Sequence, residues 1–476
     1  MNVMSNRRFQ VCSVLCVVTL CAVNSLPAQS QHLDRVKIEV DPQTLVSRIS
    51  PEFIGFGYES SAVAQSNYFT ATNLRLVQLY RNLTPHGLIR IGGCASDNTQ
   101  YVPEGTPVAR DFRQVSVINH EDLVKLGEFA RATGWKVMWG LNLGHGTEQQ
   151  AVPEAQAVAA ALGSQLQSFQ VGNEVENLTN IKHNYALYHA LYLDYKTGIR
   201  AVLPNAPFSG PDTTGDWTFL TNFVHDEAGD MKLLTHHYYC SDAHDPKASI
   251  DKMLTHDARF EARLNALDQL CRSNNIEGYR INEVNSFSGG GKPGVSDTFA
   301  SALWVLDYMF MLASAGCEGV NIETDINHLD WVSHYSPIIH DAGMKCSARP
   351  EYYGMLAFAM AGKGHLLKLT LDKSDINLSA YATKDEQGGL WITVVNKDFH
   401  RDAAVEALIP EGYVRAEAFR LQAPSLESKD QVTFAGQEVA VDGQWTPNSP
   451  DKVNVEGGFV RLAVPHASAV VLRFRN

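Results

Sequence analysis

Two Asn-Glu pairs close short apolar runs: Asn173-Glu174 ends Phe169-Gln-Val-Gly-Asn-Glu, and Asn282-Glu283 ends Tyr279-Arg-Ile-Asn-Glu. Paired carboxyl groups can break a glycosidic bond, one protonating the departing oxygen while the other attacks the sugar or activates water. A single Glu behind Asn is as well explained by a helix cap or a surface ion pair, but two at strand ends favour the paired reading. In that reading Glu174 is the general acid and then the general base, and Glu283 is the nucleophile that forms a glycosyl-enzyme. Such retaining chemistry needs carboxyl groups about 5–5.5 Å apart, whereas an inverting pair leaves about 6.5–9.5 Å for water. Asn173 is expected to donate toward the sugar 2-hydroxyl as oxocarbenium character develops. Glu283 must start ionised and Glu174 protonated, so their surroundings must differ.

Two further runs bear on the same chemistry. Thr235-His236-His237-Tyr238-Tyr239 reads as a strand, and alternation sends His236 and Tyr238 to one face and His237 and Tyr239 to the other. The expectation is that Tyr238 hydrogen-bonds near the nucleophile and His236 lies near the substrate. Adjacent strand residues point opposite ways and no third ligand has motif spacing, so no metal site is indicated. No cofactor is expected either. Ser288-Gly289-Gly290-Gly291-Lys292-Pro293-Gly294 should overhang the cleft, and consecutive glycines let backbone N–H groups approach an anion. It lacks the GxxxxGK[ST] pattern of a nucleotide-binding loop.

The elements that must carry these groups alternate in type. Candidate strands lie at 53–58, 88–91, 136–141, 168–171, 206–210, 233–238, 278–281 and 319–322, and helical patterns at 121–132, 153–162, 184–202, 250–272 and 298–315 fall between them. Eight such units predict a (β/α)8 TIM barrel over residues 51–363, with the Asn-Glu pairs at the ends of strands four and seven, where such a barrel holds its active site. Beyond Lys363 the texture changes to alternating runs at 366–371, 377–382, 390–396, 413–421, 432–435, 438–441 and 460–474. These predict a C-terminal β-sandwich over 364–476. A strand within residues 31–50, Val36–Val40, is expected to join it.

Length and charge limit the remaining classes. A chain of 476 residues holds a large domain and a smaller one. A net charge of -13 without basic runs gives no footing for nucleic acid. Arg7 and Arg8, the apolar run Val11–Val23 and small residues around Ala28 and Ser30 have the layout of a secretory signal peptide, expected over residues 1–30. The run is shorter than the roughly 20 residues of a spanning helix. Export to a periplasm or the medium, without stable membrane insertion, is the expectation. Three of the eight cysteines would leave with the signal; Cys94, Cys240, Cys271, Cys317 and Cys346 are too irregularly spaced for a disulfide framework and read as buried thiols.

Taken together, these motifs resemble glycoside hydrolase family 79, the family of β-glucuronidases and heparanases. The resemblance rests on Gly57-Tyr58-Glu59, Ile89-Arg90-Ile91-Gly92-Gly93, Val171-Gly172-Asn173-Glu174, His236-His237-Tyr238-Tyr239, Ile281-Asn282-Glu283 with the triple glycine, Ser296–Ala300, Tyr335-Ser336-Pro337 and Ala348–Gly354. It implies a barrel with a β-sandwich, retention of configuration, and a glucuronic acid held before the scissile bond. The backbone amides of Gly289 and Gly290 and the side chain of Tyr335 would receive the uronate, and Glu59 the sugar hydroxyls. Val284, Ser288 and Cys94 depart from residues frequent in the family, which leaves the pocket rim and leaving-group preference less defined.

The family contains exo- and endo-acting enzymes. Scattered Lys and Arg favour an exo-β-glucuronidase over a heparanase-like endo-enzyme, with a glucuronic-acid-containing carbohydrate as the partner. A retaining barrel glycosidase for a neutral sugar and a non-catalytic carbohydrate-binding protein are the rival readings.

Overall fold

The computed structural model describes residues 34–65, 67–103, 116–326, 333–341 and 343–475. The expected signal segment lies outside them. Among the described residues no helix is long and apolar enough to cross a membrane.

Eight parallel strands close into a barrel: β1 (Gly55–Glu59), β2 (Leu88–Gly92), β3 (Lys136–Leu141), β4 (Leu166–Val171), β5 (Phe208–Thr213), β6 (Met231–Asp242), β7 (Tyr279–Ser288) and β8 (Gly319–Glu323). Helices cover their outer faces, so strands such as Leu88-Ile-Arg-Ile-Gly are buried throughout. The helices at 120–133, 185–202 and 217–227 each begin at a side-chain cap, from Asn119, Asn184 and Asp216. The single helix predicted over 250–272 is two, Ile250–Leu254 and Ala258–Ser273. Asp257 breaks it: its carboxylate accepts the amides of Arg259 and Phe260, both at 3.1 Å, and starts the second helix.

Phe299–Ser314 and Pro350–Ala361 are apolar nearly all round and almost wholly buried. A helix of that kind needs neighbours on every side, and the C-terminal β domain supplies the outer one. Lys397 Nζ meets Asp307 Oδ2 at 2.5 Å, Tyr381 donates to Asp307 Oδ1 at 2.7 Å, and Thr383 donates to the Ala361 carbonyl at 2.6 Å.

That domain is one ten-stranded sheet whose layers are continuous, because Arg415–Gln422 and Ser468–Arg475 also pair and close it around an apolar core that includes Val36, Ile38, Leu367, Ile392, Val405 and Leu472. Strand Asp34–Ile49 pairs antiparallel with Gly364–Leu371 and parallel with Ala403–Leu408. The latter strand has the composition of a helix, Ala-Ala-Val-Glu-Ala-Leu, and is held extended by neighbours on both sides. The run 460–474 is two strands, separated by a turn with Ala467 at φ 48°. Residues 438–441 form no strand; the amide of Val439 is taken by the Tyr353 hydroxyl at 2.9 Å.

Candidate active site

The C-terminal ends of the barrel strands surround a cavity of about 1020 Å³ whose walls include Glu59, Glu174, His237, Tyr239, Glu283 and Tyr335. Its centre is built on Arg90. β2 turns this side chain inward, and Gly92 makes room for it, since a Cβ there would lie 2.6 Å from Arg90 Nε. The buried guanidinium donates to Glu283 Oε2 at 2.7 Å, to Asp212 Oδ2 at 3.0 Å, and to the Asn173 carbonyl oxygen. Holding that oxygen leaves the Asn173 amide nitrogen pointing elsewhere, 3.7 Å from Cys94 Sγ.

Glu174 follows β4 in the left-handed region, φ 46°, a strained conformation for a residue with a side chain. Its carboxylate accepts from His237 Nδ1 at 3.3 Å. The same nitrogen is 3.6 Å from Glu283 Oε2, and the other ring nitrogen is 3.7 Å from Asp212 Oδ2. One oxygen of Glu174, one nitrogen of His237 and one oxygen of Glu283 all lie within 4.8 Å of one another. At least one oxygen of Glu174 and one of Glu283 thus face each other across a short gap.

Charge is sorted around this trio. Burial alone would raise the Glu283 carboxyl pKa, but His237 and Arg90, together with the Tyr239 hydroxyl, outweigh it and hold it below its ordinary value. Burial would likewise neutralise His237, yet Glu283, Asp212 and Glu174 push it up to about 10. His236 goes the other way, down to about 3, through burial and the nearby charges of Arg263 and His237. By distance the trio could bracket a cation, and Arg90 beside Glu283 sets a positive charge against one.

Residues 357–471 match the glycosyl hydrolase family 79 C-terminal beta domain. The chain is thus similar to proteins of glycoside hydrolase family 79, over its C-terminal β domain by the family model. A β-glucuronidase from Aspergillus niger is 21% identical over 52% of this chain and 52% of its own length. One from Neurospora crassa is 27% identical over 28% of this chain and 24% of its own length. The alignments thus span about half of one curated relative and a quarter of the other. A 4-O-α-L-rhamnosyl-β-D-glucuronidase from Fusarium oxysporum shares the fold, with a TM-score of 0.76 at 18% identity over 92% of this chain and 99% of that one. A family 51 α-L-arabinofuranosidase from Bifidobacterium longum superposes with a TM-score of 0.70 at 13% identity, covering 92% and 99% of the two chains.

Within this chain the site residues read from the sequence separate into two sets. Glu59, Glu174, Glu283, Gly289, Gly290 and Tyr335 line the cavity, and Asn173 lies buried behind it on Arg90. Gly93, at φ 71°, turns the chain past β2 so that the Ala95 amide donates to Glu59 Oε2 at 2.6 Å; a Cβ on Gly93 would fall 2.3 Å from that oxygen. The glycine loop docks on the Tyr335 segment, the Gly290 carbonyl accepting from the His334 and Tyr335 amides at 2.6 and 3.3 Å.

His236 and Tyr238 border the same cavity, but neither hydrogen-bonds Glu174 or Glu283. Tyr239 does, donating to Glu283 Oε1 at 3.0 Å, so the expectation of Tyr238 beside Glu283 is corrected by one residue. Register decides it: β7 sets Glu283 opposite His237, which turns 237 and 239 into the barrel. Tyr238 faces the helices, stacks on Phe260 and Tyr308, and donates to Asp257 at 3.0 Å. His236 sits between Thr213 and Arg263.

Arg90, Asp212, His237, Tyr239 and Asp325 were missed as site residues. Arg90 is preceded and followed by Ile on an apolar strand, and an arginine buried there was itself a signal, because a charge that deep requires partners. Cys94, expected to be buried, is exposed, on the cavity wall.

Proposed function

We propose that the chain is a retaining exo-β-glucuronidase that removes terminal β-D-glucuronic acid from glycans or glycoconjugates. The observation that carries the reaction type is the Glu174–Glu283 pair, within 4.8 Å, with Glu283 alone held by Arg90 and Tyr239. Glu283 attacks the anomeric carbon as Glu174 passes its proton to the leaving oxygen, giving a covalent glycosyl-enzyme and a free alcohol. Water then attacks the same carbon, Glu174 takes a water proton, and the Glu283 ester bond breaks with net retention. Arg90 holds the Asn173 side-chain oxygen, which leaves the amide N–H, now directed at Cys94 on the cavity wall, as the donor for a sugar 2-hydroxyl.

The sugar is argued from Gly289, Gly290 and Tyr335 on one wall, whose neutral donors suit a carboxylate, and from curated relatives that are β-glucuronidases. Hydrolysis of an aryl β-glucuronide against the matching β-glucoside tests it, with the product anomer followed by NMR. Preferred hydrolysis of the glucoside would overturn the uronate reading, and an inverted first product would overturn the mechanism. An endo-acting reading keeps one observation in its favour, since Arg259 and Arg263 also line the cavity and suit an anionic leaving side. Product analysis on glucuronate-containing oligosaccharides decides between them. The arginine pair and apolar run near the N-terminus support export.

A further inference from the structure

Two residues past Glu174, Glu176 carries a buried carboxyl group that the mechanism leaves unused. It sits in the short turn Val175–Asn177 that follows β4 and Glu174, is only 1% exposed, and reaches across to the neighbouring strand. Its Oε1 accepts the Thr214 amide at 2.7 Å, the Thr214 hydroxyl at 3.1 Å and the Gly215 amide at 3.1 Å. Asn177 adds a bond of its own, its side-chain nitrogen donating to Thr214 Oγ1 at 3.2 Å. Thr214 and Gly215 follow β5 and line the cavity.

Strands β4 and β5 need such a tie. They share one ladder pair, Phe169 with Phe208 at the start of β5, so side chains hold their C-terminal ends together. Gln170 donates to Asp212 inside the barrel, and Glu176 joins the two turns beyond it. Glu174 depends on this more than its neighbours do: its φ of 46° and ψ of 48° are strained for a residue with a side chain and persist only where the surroundings fix the chain on both sides. Upstream, the Leu141 carbonyl accepts the Gly172 amide at 3.0 Å. Downstream, the Glu174 carbonyl accepts the Asn177 amide at 2.8 Å and the Glu176 carbonyl accepts the His183 amide at 2.9 Å. The Glu176 side chain is the part of that downstream anchor that crosses to the next strand.

The wall formed by Thr214 and Gly215 stands on the Glu174 side of the cavity, whereas Gly289, Gly290 and Tyr335 come from β7 and the segment after β8. We propose that Glu176 is a positioning residue for proton donation: by tying the turn behind Glu174 to Thr214 and Gly215, it fixes the Glu174 carboxyl relative to the leaving oxygen. This rests on the reading of Glu174 as the acid/base given above and is independent of which sugar is bound. The three bonds need an acceptor oxygen at that reach, which an amide of the same length also supplies. Loss of the tie therefore falls on a leaving group that must receive a proton and spares one that departs unaided.

The experiment measures kcat/KM for an alkyl β-glucuronide and for an activated aryl β-glucuronide and takes the ratio of the two, which does not depend on how much of a preparation is folded. Glu176→Asp keeps the carboxyl group but withdraws it by one methylene; the alkyl-to-aryl ratio should fall by about 10²-fold while the aryl substrate stays within about threefold of wild type. Glu176→Gln keeps the reach and should recover the ratio to within about threefold. An unchanged ratio in Glu176→Asp overturns the inference, since a merely structural role lowers both substrates together, and so does an equal fall in Glu176→Gln. Should Glu176→Asp yield no folded protein, Thr214→Val removes the hydroxyl bonds to Glu176 and Asn177 and should lower the ratio by about fivefold; no change there overturns the inference as well. If Glu174→Ala itself shows no leaving-group dependence, the acid/base reading fails; dependence in Glu174→Ala without it in Glu176→Asp removes only the role of Glu176. If the protein prefers glucosides, the same ratio on the alkyl and aryl glucosides tests the tie unchanged.

Discussion

The Tyr239 hydroxyl donates to Oε1 of Glu283 at 3.0 Å, while Tyr238, one residue earlier, gives its hydroxyl to Asp257 on the far side of the strand. Two chemically identical neighbours therefore have unrelated duties. Tyr239→Phe should lower kcat by roughly 10²-fold, the scale of losing one donor to a reacting group. Tyr238→Phe should leave kcat within about threefold and instead lower Tm, because Asp257 loses a partner at the start of its helix. Steady-state kinetics beside thermal unfolding of both variants checks the pair.

The two glutamates should fail differently. Glu283→Ala should lower kcat by roughly 10⁴-fold or more for every substrate, since no intermediate can form. Glu174→Ala should depend on the leaving group, losing far less with an activated aryl glycoside than with an alkyl one. Added azide should restore part of the Glu174→Ala activity and yield a β-glucuronosyl azide. An α-azide would contradict the assignment.

Stability should carry the signature of His237. Its folded pKa is raised to about 10 from 6.5, so its contribution is complete below pH 6.5 and lost as pH climbs toward 10. Asp212, lowered to about 2 from 3.8 despite burial, contributes above pH 3.8 and loses that as pH falls through 2. Glu59, raised to about 8 by burial, Asp325 and Glu283, weakens the fold in the same alkaline direction as His237. Tm measured from pH 4 to 10 should decline on the alkaline side, and His237→Gln should shallow that decline while the part due to Glu59 remains.

Gly93→Ala should damage the site more than its size suggests. The position needs φ 71° and the new Cβ would strike the Glu59 carboxylate. A stability loss of about 1–3 kcal/mol is expected, with a raised KM as Glu59 is displaced. Denaturant unfolding and the KM-to-kcat split measure the two parts.

Barrel strands were legible because burial on both faces writes them as short apolar runs between amphipathic helices, and this holds for β2, β3 and β8 alike. Glu174 and Glu283 were legible because each follows such a run. Which tyrosine meets Glu283 was not, since a one-residue change of register exchanges His236 and Tyr238 for His237 and Tyr239, and register is set by pairing with β5 and β7, far away in sequence. Ala403–Leu408 was hidden for the opposite reason: its alanines, glutamate and leucine favour a helix, and only two flanking strands make it extended. Asp325 carried no pattern at all, because its place depends on a packed loop and not on a period.

Strand Asp34–Ile49 lies before the barrel in sequence but pairs with strands that follow it. The barrel is in effect a very long loop of the β domain, leaving it at one edge of a strand and returning at the neighbour. During synthesis this first strand has no partner until the whole barrel sequence has been made, and waits with open N–H and C=O groups. Its exposed Leu45 and Val46 are then a liability for pairing with other chains. Once the last strands arrive, the same pairing clasps the two ends of the barrel together, so neither end can fray without breaking a sheet.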